Sequence, residues 1–220
     1  MPRLTQKRKE LLGAMMKDAI YEAAISVMTA HGVEGMTMDR VAAAAAMAKG
    51  NLYNYFRDKR ELLQFIHERM VAPIMRALAE ATYARMSAIQ KLRSVLRTLL
   101  EHMAEHYEVM GLLLRSDTAR AFLEPADRGL RATGLNYFST IFQQGIQEGL
   151  FRPVDPTELA QMFVGALAEF AQWRVAAGRP PQVEQTMETL LGVFLNGISA
   201  EQPQQGNNPL TRSACGETLL

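Results

Sequence analysis

The chain has 220 residues, with 24 Lys and Arg against 23 Asp and Glu and a net charge of +1, so bulk charge gives no reason to expect a nucleic-acid partner. Its single cysteine, Cys215, excludes an intrachain disulfide and fits a reducing, cytoplasmic setting. No apolar run approaches the ~18 residues that span a bilayer, and the basic, polar start does not read as a signal peptide, so no membrane partner is expected.

The charge is unevenly spread. Residues 1–60 hold ten Lys and Arg against six acids, a balance of +4 that leaves −3 for the rest. A basic front on a mildly acidic back suits a phosphate-facing module carried by a larger body. Strand-like alternation is absent, and helical spacing recurs throughout, so the fold class is all-α. Residues 1–16 read as a flexible basic arm (Arg3, Lys7, Arg8, Lys9) running into the first helix. Ile20, Ala23, Ala24, Val27 and Met28 form that helix's apolar face, and Gly32 stops it after His31. Thr37 is a good N-cap for the next helix, with Asp39 in the first turn favouring its dipole.

A short helix follows a tight turn at Ala45-Ala46-Met47-Ala48. Its front is small and polar (Ala48, Lys49, Gly50, Asn51) and its back aromatic (Tyr53, Tyr55, Phe56). Such a helix can enter a major groove tip first. Gly50 permits close backbone approach, Lys49 can reach guanine, and Asn51 or Asn54 can pair with adenine. A solvated helix face would carry similar residues. Leu52 and Phe56 read as core.

Asp58 with Glu61 starts a long helix carrying Leu62, Ile66 and Met70, with a kink or short break expected at Pro73. Ile89, Leu92, Leu96, Leu99, Met103 and Met110 form the stripe of one further helix. Glu124-Pro125 opens another, which Gly149 closes. Asp155-Pro156-Thr157-Glu158 is the clearest helix start, combining cap, proline and acid, and opens a helix over about 156–177. Arg179-Pro180-Pro181 turns the chain into a last helix over about 183–199. The tail, 201–220, is rich in Gln, Asn, Gly and Pro and reads as disordered.

Fourteen methionines supply soft, adaptable apolar surface. Met103, His106, Met110, Phe138, Phe142, Met162, Phe170 and Trp173 are candidates to line a small-molecule pocket, and each could equally be core. His102-Met103-Ala104-Glu105-His106 matches H-x-x-E-H, an inverted zinc-peptidase pattern. Glu105 falls outside the apolar stripe, and catalytic zinc usually takes three protein ligands. No third-ligand motif is evident. We therefore expect no metal, no cofactor and no catalytic residue, with the two histidines buried or lining a pocket.

The segment Thr37–Leu63 resembles the TetR family of one-component bacterial regulators. The residues that carry the likeness are Lys49-Gly50-Asn51-Leu52-Tyr53-Asn54-Tyr55-Phe56, then Lys59 and Leu62-Leu63, preceded by a Thr-capped helix. The specific match runs over about 45 residues, Ile20 to Leu63. The resemblance implies that Thr37 and Lys59 reach phosphates. It also implies that one of Tyr53 and Tyr55 touches DNA while the other packs inward. Two departures stand in the turn. Ala46 replaces the usual glycine, which costs more if φ is positive there. Ala48 replaces the usual capping serine, a loss of ~1 kcal/mol on the usual cap scale. The candidate DNA-binding set is Thr37, Ala48, Lys49, Gly50, Asn51, Tyr53, Asn54, Tyr55 and Lys59.

These readings imply a helix-turn-helix module over 17–60 and a ligand-binding and dimerisation body over 61–200. The expected protein is a homodimeric repressor, paired through its last two helices. It would be released from a palindromic operator on double-stranded DNA by a small, largely apolar effector. Two other classes stand beside it: a zinc-dependent helical hydrolase or metal sensor using His102 and His106, and a DNA-independent dimeric adaptor.

Overall fold

A computed structural model describes residues 2–198, with side chains from Lys7 onward. Nine helices account for almost all of this span: α1 (Pro2–Gly35), α2 (Met38–Ala44), α3 (Lys49–Tyr53), α4 (Lys59–Tyr83), α5 (Ala88–Glu105), α6 (Tyr107–Arg115), α7 (Asp117–Gln147), α8 (Pro156–Ala176) and α9 (Val183–Ile198). The tail expected to be disordered, 201–220, lies outside the described residues.

The basic segment is not a separate arm. It is helical from Pro2 and continuous with α1, whose good helix formers between Lys7 and Lys17 contain no breaker except Gly13. Gly32 interrupts α1 with φ 70°, ψ 171°, the stop its composition suggests. Thr37 caps α2, its Oγ1 accepting from the Arg40 N–H at 3.2 Å. Asp58 caps α4, accepting from the Glu61 N–H at 2.9 Å. The Glu61 carboxylate accepts in turn from the Arg57 N–H at 2.7 Å, locking the approach to α4.

Three helix limits differ from the sequence expectation. Helix α4 runs on through Pro73. Pro73 is exposed, so solvent can satisfy the carbonyl one turn earlier that its missing N–H leaves free. Helix α7 starts at Asp117 rather than Glu124-Pro125. Ser116 Oγ accepts from the Ala119 N–H at 3.0 Å, and Pro125, also exposed, lies inside the helix. The single helix expected from Ile89 to Met110 is two, broken at His106 (φ −107°, ψ 21°). Gly149 (φ 71°) closes α7 as expected, and Gly178 (φ 65°) follows the end of α8. Asp155 caps α8 by accepting from the N–H groups of Thr157 (2.7 Å) and Glu158 (3.3 Å).

The apolar faces assemble two cores. The first gathers Ile20, Ala24 and Met28 of α1, Val41 of α2, Leu52 of α3, and Leu62, Leu63 and Ile66 of α4. It also takes Val109 and Leu113 of α6 and Ala119 and Leu123 of α7. The second joins Leu78 of α4 to Leu92, Leu96 and Leu100 of α5, Phe138 and Phe142 of α7, Phe163 of α8 and Met187 of α9. Edge-to-face rings consolidate it, with Phe163 set against Phe138 (5.1 Å) and Phe194 (4.9 Å). Arg93 and Arg97 of α5 pair with Glu188 and Glu184 of α9 across its surface. Helices α4 and α7 run through both cores, and Met110 of α6 packs against both. A displacement of α4 or α6 is therefore felt in each.

Candidate DNA-reading surface and effector cavity

Helix α3 is held from beneath. Leu52 and Phe56 are essentially buried, and Phe56 packs on Phe65 at 5.0 Å. Burying that ridge turns Lys49, Gly50, Asn51, Tyr53 and Asn54 to solvent. A Cβ added at Gly50 would meet nothing within 4 Å, so nothing inside the fold requires glycine there. The two tyrosines divide: Tyr53 is 42% exposed, while Tyr55 is half-buried against the first core.

The turn before α3 carries the two departures. Ala46 sits at φ 52°, in the left-handed region. Ala48 has the extended backbone of an N-cap (φ −66°, ψ 143°) but makes no side-chain capping bond, because it has no oxygen to offer the free N–H groups of α3. Ala48, Lys49, Gly50 and Asn51 are all exposed at this tip.

Charges frame this surface. Lys49 Nζ lies 2.6 Å from Asp39 Oδ1, and that bond raises the lysine pKa above its ordinary value. Both groups are exposed, so the pair is open to competition from an outside anion. Lys59 behaves differently from a free phosphate-reaching chain. Its Nζ donates to the carbonyls of Val33 (2.6 Å) and Glu34 (3.2 Å), capping the kinked end of α1. Burial lowers its pKa, which Glu34 partly opposes. Two of its three protons are thus engaged. Glu34 also accepts from the Ser116 hydroxyl at 2.6 Å, which holds its pKa below the ordinary 4.5. This bond ties the end of α1 to the cap of α7. Of the basic segment, Lys7, Arg8 and Lys9 are exposed, and the Arg3 side chain lies outside the described residues.

A cavity of about 120 Å³ lies where α4, α5 and α6 meet, lined by His67, Met70, Val71, Ile74, His102, Met110, Leu113 and Leu114. His102 Nε2 and His67 Nδ1 are buried without hydrogen-bond partners, while His67 Nε2 lies 2.8 Å from Asp127 Oδ1. Burial, and then the neighbouring His106, push the His102 pKa down; Glu105 and a backbone hydrogen bond to Met70 pull the other way. Met110 is the expected pocket residue found in this lining. Met103, Phe138 and Phe142 are packed into the second core, and Phe170 is half-buried beside it. Met162 and Trp173, also expected in a pocket, are 61% and 51% exposed on α8. That helix carries apolar residues on more than one face, so spacing alone could not say which face turns inward. His106 lines a separate cleft with Ile25, Thr29, Glu105 and Pro180. The sequence reading missed His67, Val71 and Ile74, which lie on α4 one ridge away from its core stripe of Leu62, Ile66 and Met70. The i, i+4, i+7 spacing His67–Val71–Ile74 is the signal that could have found them.

A capped helix, a tight turn and a short helix with an outward polar tip, mounted on a helical body with a small apolar pocket, define a helix-turn-helix regulator. Comparison with known proteins agrees. Residues 20–66 match the bacterial regulatory proteins of the tetR family, and residues 85–198 match the tetracyclin repressor-like C-terminal domain. The chain belongs to the TetR family of bacterial transcriptional regulators. It is a DNA-binding transcriptional regulator.

Among relatives, the uncharacterized HTH-type regulator YhgD of Bacillus subtilis is 25% identical over 187 residues, covering 84% of this chain and 97% of its own. SmeT, the repressor of a Stenotrophomonas maltophilia multidrug efflux pump, superposes in its triclosan complex with a TM-score of 0.74. The identity is 20%, over 87% of this chain and 96% of SmeT. FadR of Bacillus subtilis, bound to stearoyl-CoA, gives a TM-score of 0.68 at 22% identity, over 82% and 98%. At these identities the two structures share the fold. No helix among the described residues is long and apolar enough to cross a membrane.

Proposed function

We propose that residues 17–60 are the DNA-reading module and 61–200 the effector-binding and dimerisation body of a homodimer that binds a palindromic operator. The observation that carries DNA reading is the tip of α3. Leu52 and Phe56 pin the helix, while Gly50 stands in open space between exposed Lys49 and Asn51. Helix α3 enters the major groove with Lys49, Asn51 and Asn54 toward base edges. Ala48 and Gly50 let its backbone N–H groups approach a phosphate. Tyr53, the Thr37 hydroxyl and the third Lys59 proton contact phosphates on either side. Tyr55 holds the helix from behind.

The exposed apolar side chains of α8 and α9, Met162, Trp173 and Val193, support pairing of these helices across a twofold axis as a four-helix interface. That pairing would place two α3 helices ~34–36 Å, or a multiple of it, apart. The α4–α5–α6 cavity receives the effector. At about 120 Å³ it is smaller than the roughly 300–1,000 Å³ of drug-sized sites, so entry displaces Met70 and Met110, flexible chains suited to repacking. The apolar lining, and the triclosan and stearoyl-CoA bound by SmeT and FadR, favour an apolar effector. Met110 packs against both cores, so its displacement shifts α4 and α6 beneath the DNA module. A ~100-fold loss of operator affinity needs only ~2.7 kcal/mol of such coupling.

Fluorescence anisotropy on a selected duplex tests the reading surface. Gly50→Ala and Tyr53→Ala should each weaken binding at least about tenfold while leaving the thermal melt in place. Wild-type affinity in both variants would sink the assignment of α3.

A further inference from the structure

The junction of α5 and α6 holds a group of side chains that DNA reading leaves unused. His102, Glu105 and His106 each offer one ligand atom, and these atoms lie within 4.8 Å of one another. The residues stand at i, i+3 and i+4, so one helical turn presents all three to the same place. The two imidazole rings lie with centroids 4.3 Å apart, tilted by 55° to each other. Glu105 Oε2 is 3.8 Å from His106 Nε2. The carboxylate that lies outside the apolar stripe thus swings back toward the histidines at the helix end, supplying a third ligand.

We propose that His102, Glu105 and His106 bind a borderline divalent transition cation of the zinc class at the α5–α6 junction.

Two imidazoles and one carboxylate suit zinc, cobalt or nickel better than the all-oxygen sites of magnesium and calcium. Ligand bonds of about 2.0–2.2 Å place donors roughly 3.3 Å apart. Small side-chain rotations close the group from its present spread, and Glu105, 74% exposed, is free to make the largest. His102 Nε2 is buried with no hydrogen-bond partner, a cost that a metal bond at that nitrogen would remove. The Met70 carbonyl, which accepts from the His102 ring, would hold that ring in place, as partners of metal-ligating histidines commonly do. Three protein ligands leave a fourth position for water. Glu105 and His106 line the cleft that also holds Ile25, Thr29, Tyr107, Glu108 and Pro180, a route by which water could reach it. His102 also lines the α4–α5–α6 cavity, so the cation would fix one wall of it.

The test uses the tag-free full chain without DNA, titrated with Co²⁺ near neutral pH and followed by visible absorption. One cobalt per chain should bind with the spectrum of a four- or five-coordinate site, and Zn²⁺ should displace it. His102→Gln and His106→Gln should each weaken binding at least about tenfold. Glu105→Gln, at an exposed position that does not threaten folding, should weaken it too. His31→Gln, remote in the sequence, should not. Absence of a cobalt spectrum, wild-type affinity in Glu105→Gln and His102→Gln, or loss of binding in His31→Gln would overturn the proposal. Operator binding measured in chelator reports on α3 independently, so failure of one site is distinct from failure of the other.

Discussion

Replacing Ala46 with glycine should stabilise the protein. Among the described residues Ala46 is the one non-glycine with positive φ, at 52°. There its Cβ crowds the following carbonyl, a strain of roughly 1–2 kcal/mol. Glycine removes that strain but gives the unfolded chain more freedom, which returns about 0.4–1 kcal/mol. The turn is closed by backbone bonds that the substitution leaves alone: Ala45 N–H to Val41 (2.9 Å), Ala46 N–H to Ala43 (3.1 Å) and Met47 N–H to Ala42 (3.0 Å). Ala46 is exposed, so little packing is lost. The difference spans about 0–1.6 kcal/mol and centres near 0.8 kcal/mol, a rise in Tm of roughly 2–3 °C for a chain of this size. Urea unfolding followed by circular dichroism should show a higher midpoint with an unchanged slope. Ala46→Val, which adds a β-branch to the same conformation, should move it the other way. A lower midpoint for Ala46→Gly would refute the strained turn.

Ala48→Ser supplies the oxygen that the extended backbone at the tip of α3 is already placed to use, and thermal melts should record a gain of ~1 kcal/mol. Ser116→Ala removes both the cap of α7 and the donor to Glu34; a loss of about 1–2 kcal/mol in urea unfolding is expected. Acid should destabilise the fold through Glu148, whose carboxylate accepts from the Ala88 N–H at 3.0 Å and from Gln144. These bonds hold its pKa below the ordinary 4.5. Its contribution is therefore present above 4.5 and lost as pH falls through the folded value. Unfolding midpoints between pH 7 and 3 should fall less steeply in Glu148→Gln, with Glu34, Glu61 and Asp155 carrying the remaining slope.

The helix starts at Thr37, Asp58 and Asp155 were legible because each rests on local chemistry: a side-chain oxygen meeting N–H groups within three residues. The Ala46 and Ala48 departures were legible only against the TetR resemblance, and the structure gives each its consequence: a positive φ at Ala46 and no side-chain cap at Ala48. Proline misled where it is exposed. At Pro73 and Pro125 tertiary packing on either side carries the helix through, and solvent covers the freed carbonyl. The break at His106 has no glycine or proline to announce it; α5 and α6 part because they serve different cores. By the resemblance Lys59 reads in the sequence as a phosphate-reaching cation. Only the folded end of α1 brings two carbonyls to it. The cavity wall on α4 was missed because His67, Val71 and Ile74 flank the core stripe, and their role depends on where α5 and α6 cross. The division between Tyr53 and Tyr55 likewise required the orientation of α3, set by burial of Leu52 and Phe56.

Selection of bound sequences from random duplex DNA by the full chain, at two salt concentrations, tests the central claim that α3 reads DNA as part of a symmetric pair. Recovery of a palindrome whose half-sites stand one helical turn or a multiple apart, with affinity falling steeply as salt rises, is the expected result. Weak recovery of unrelated sequences at both salts would contradict it.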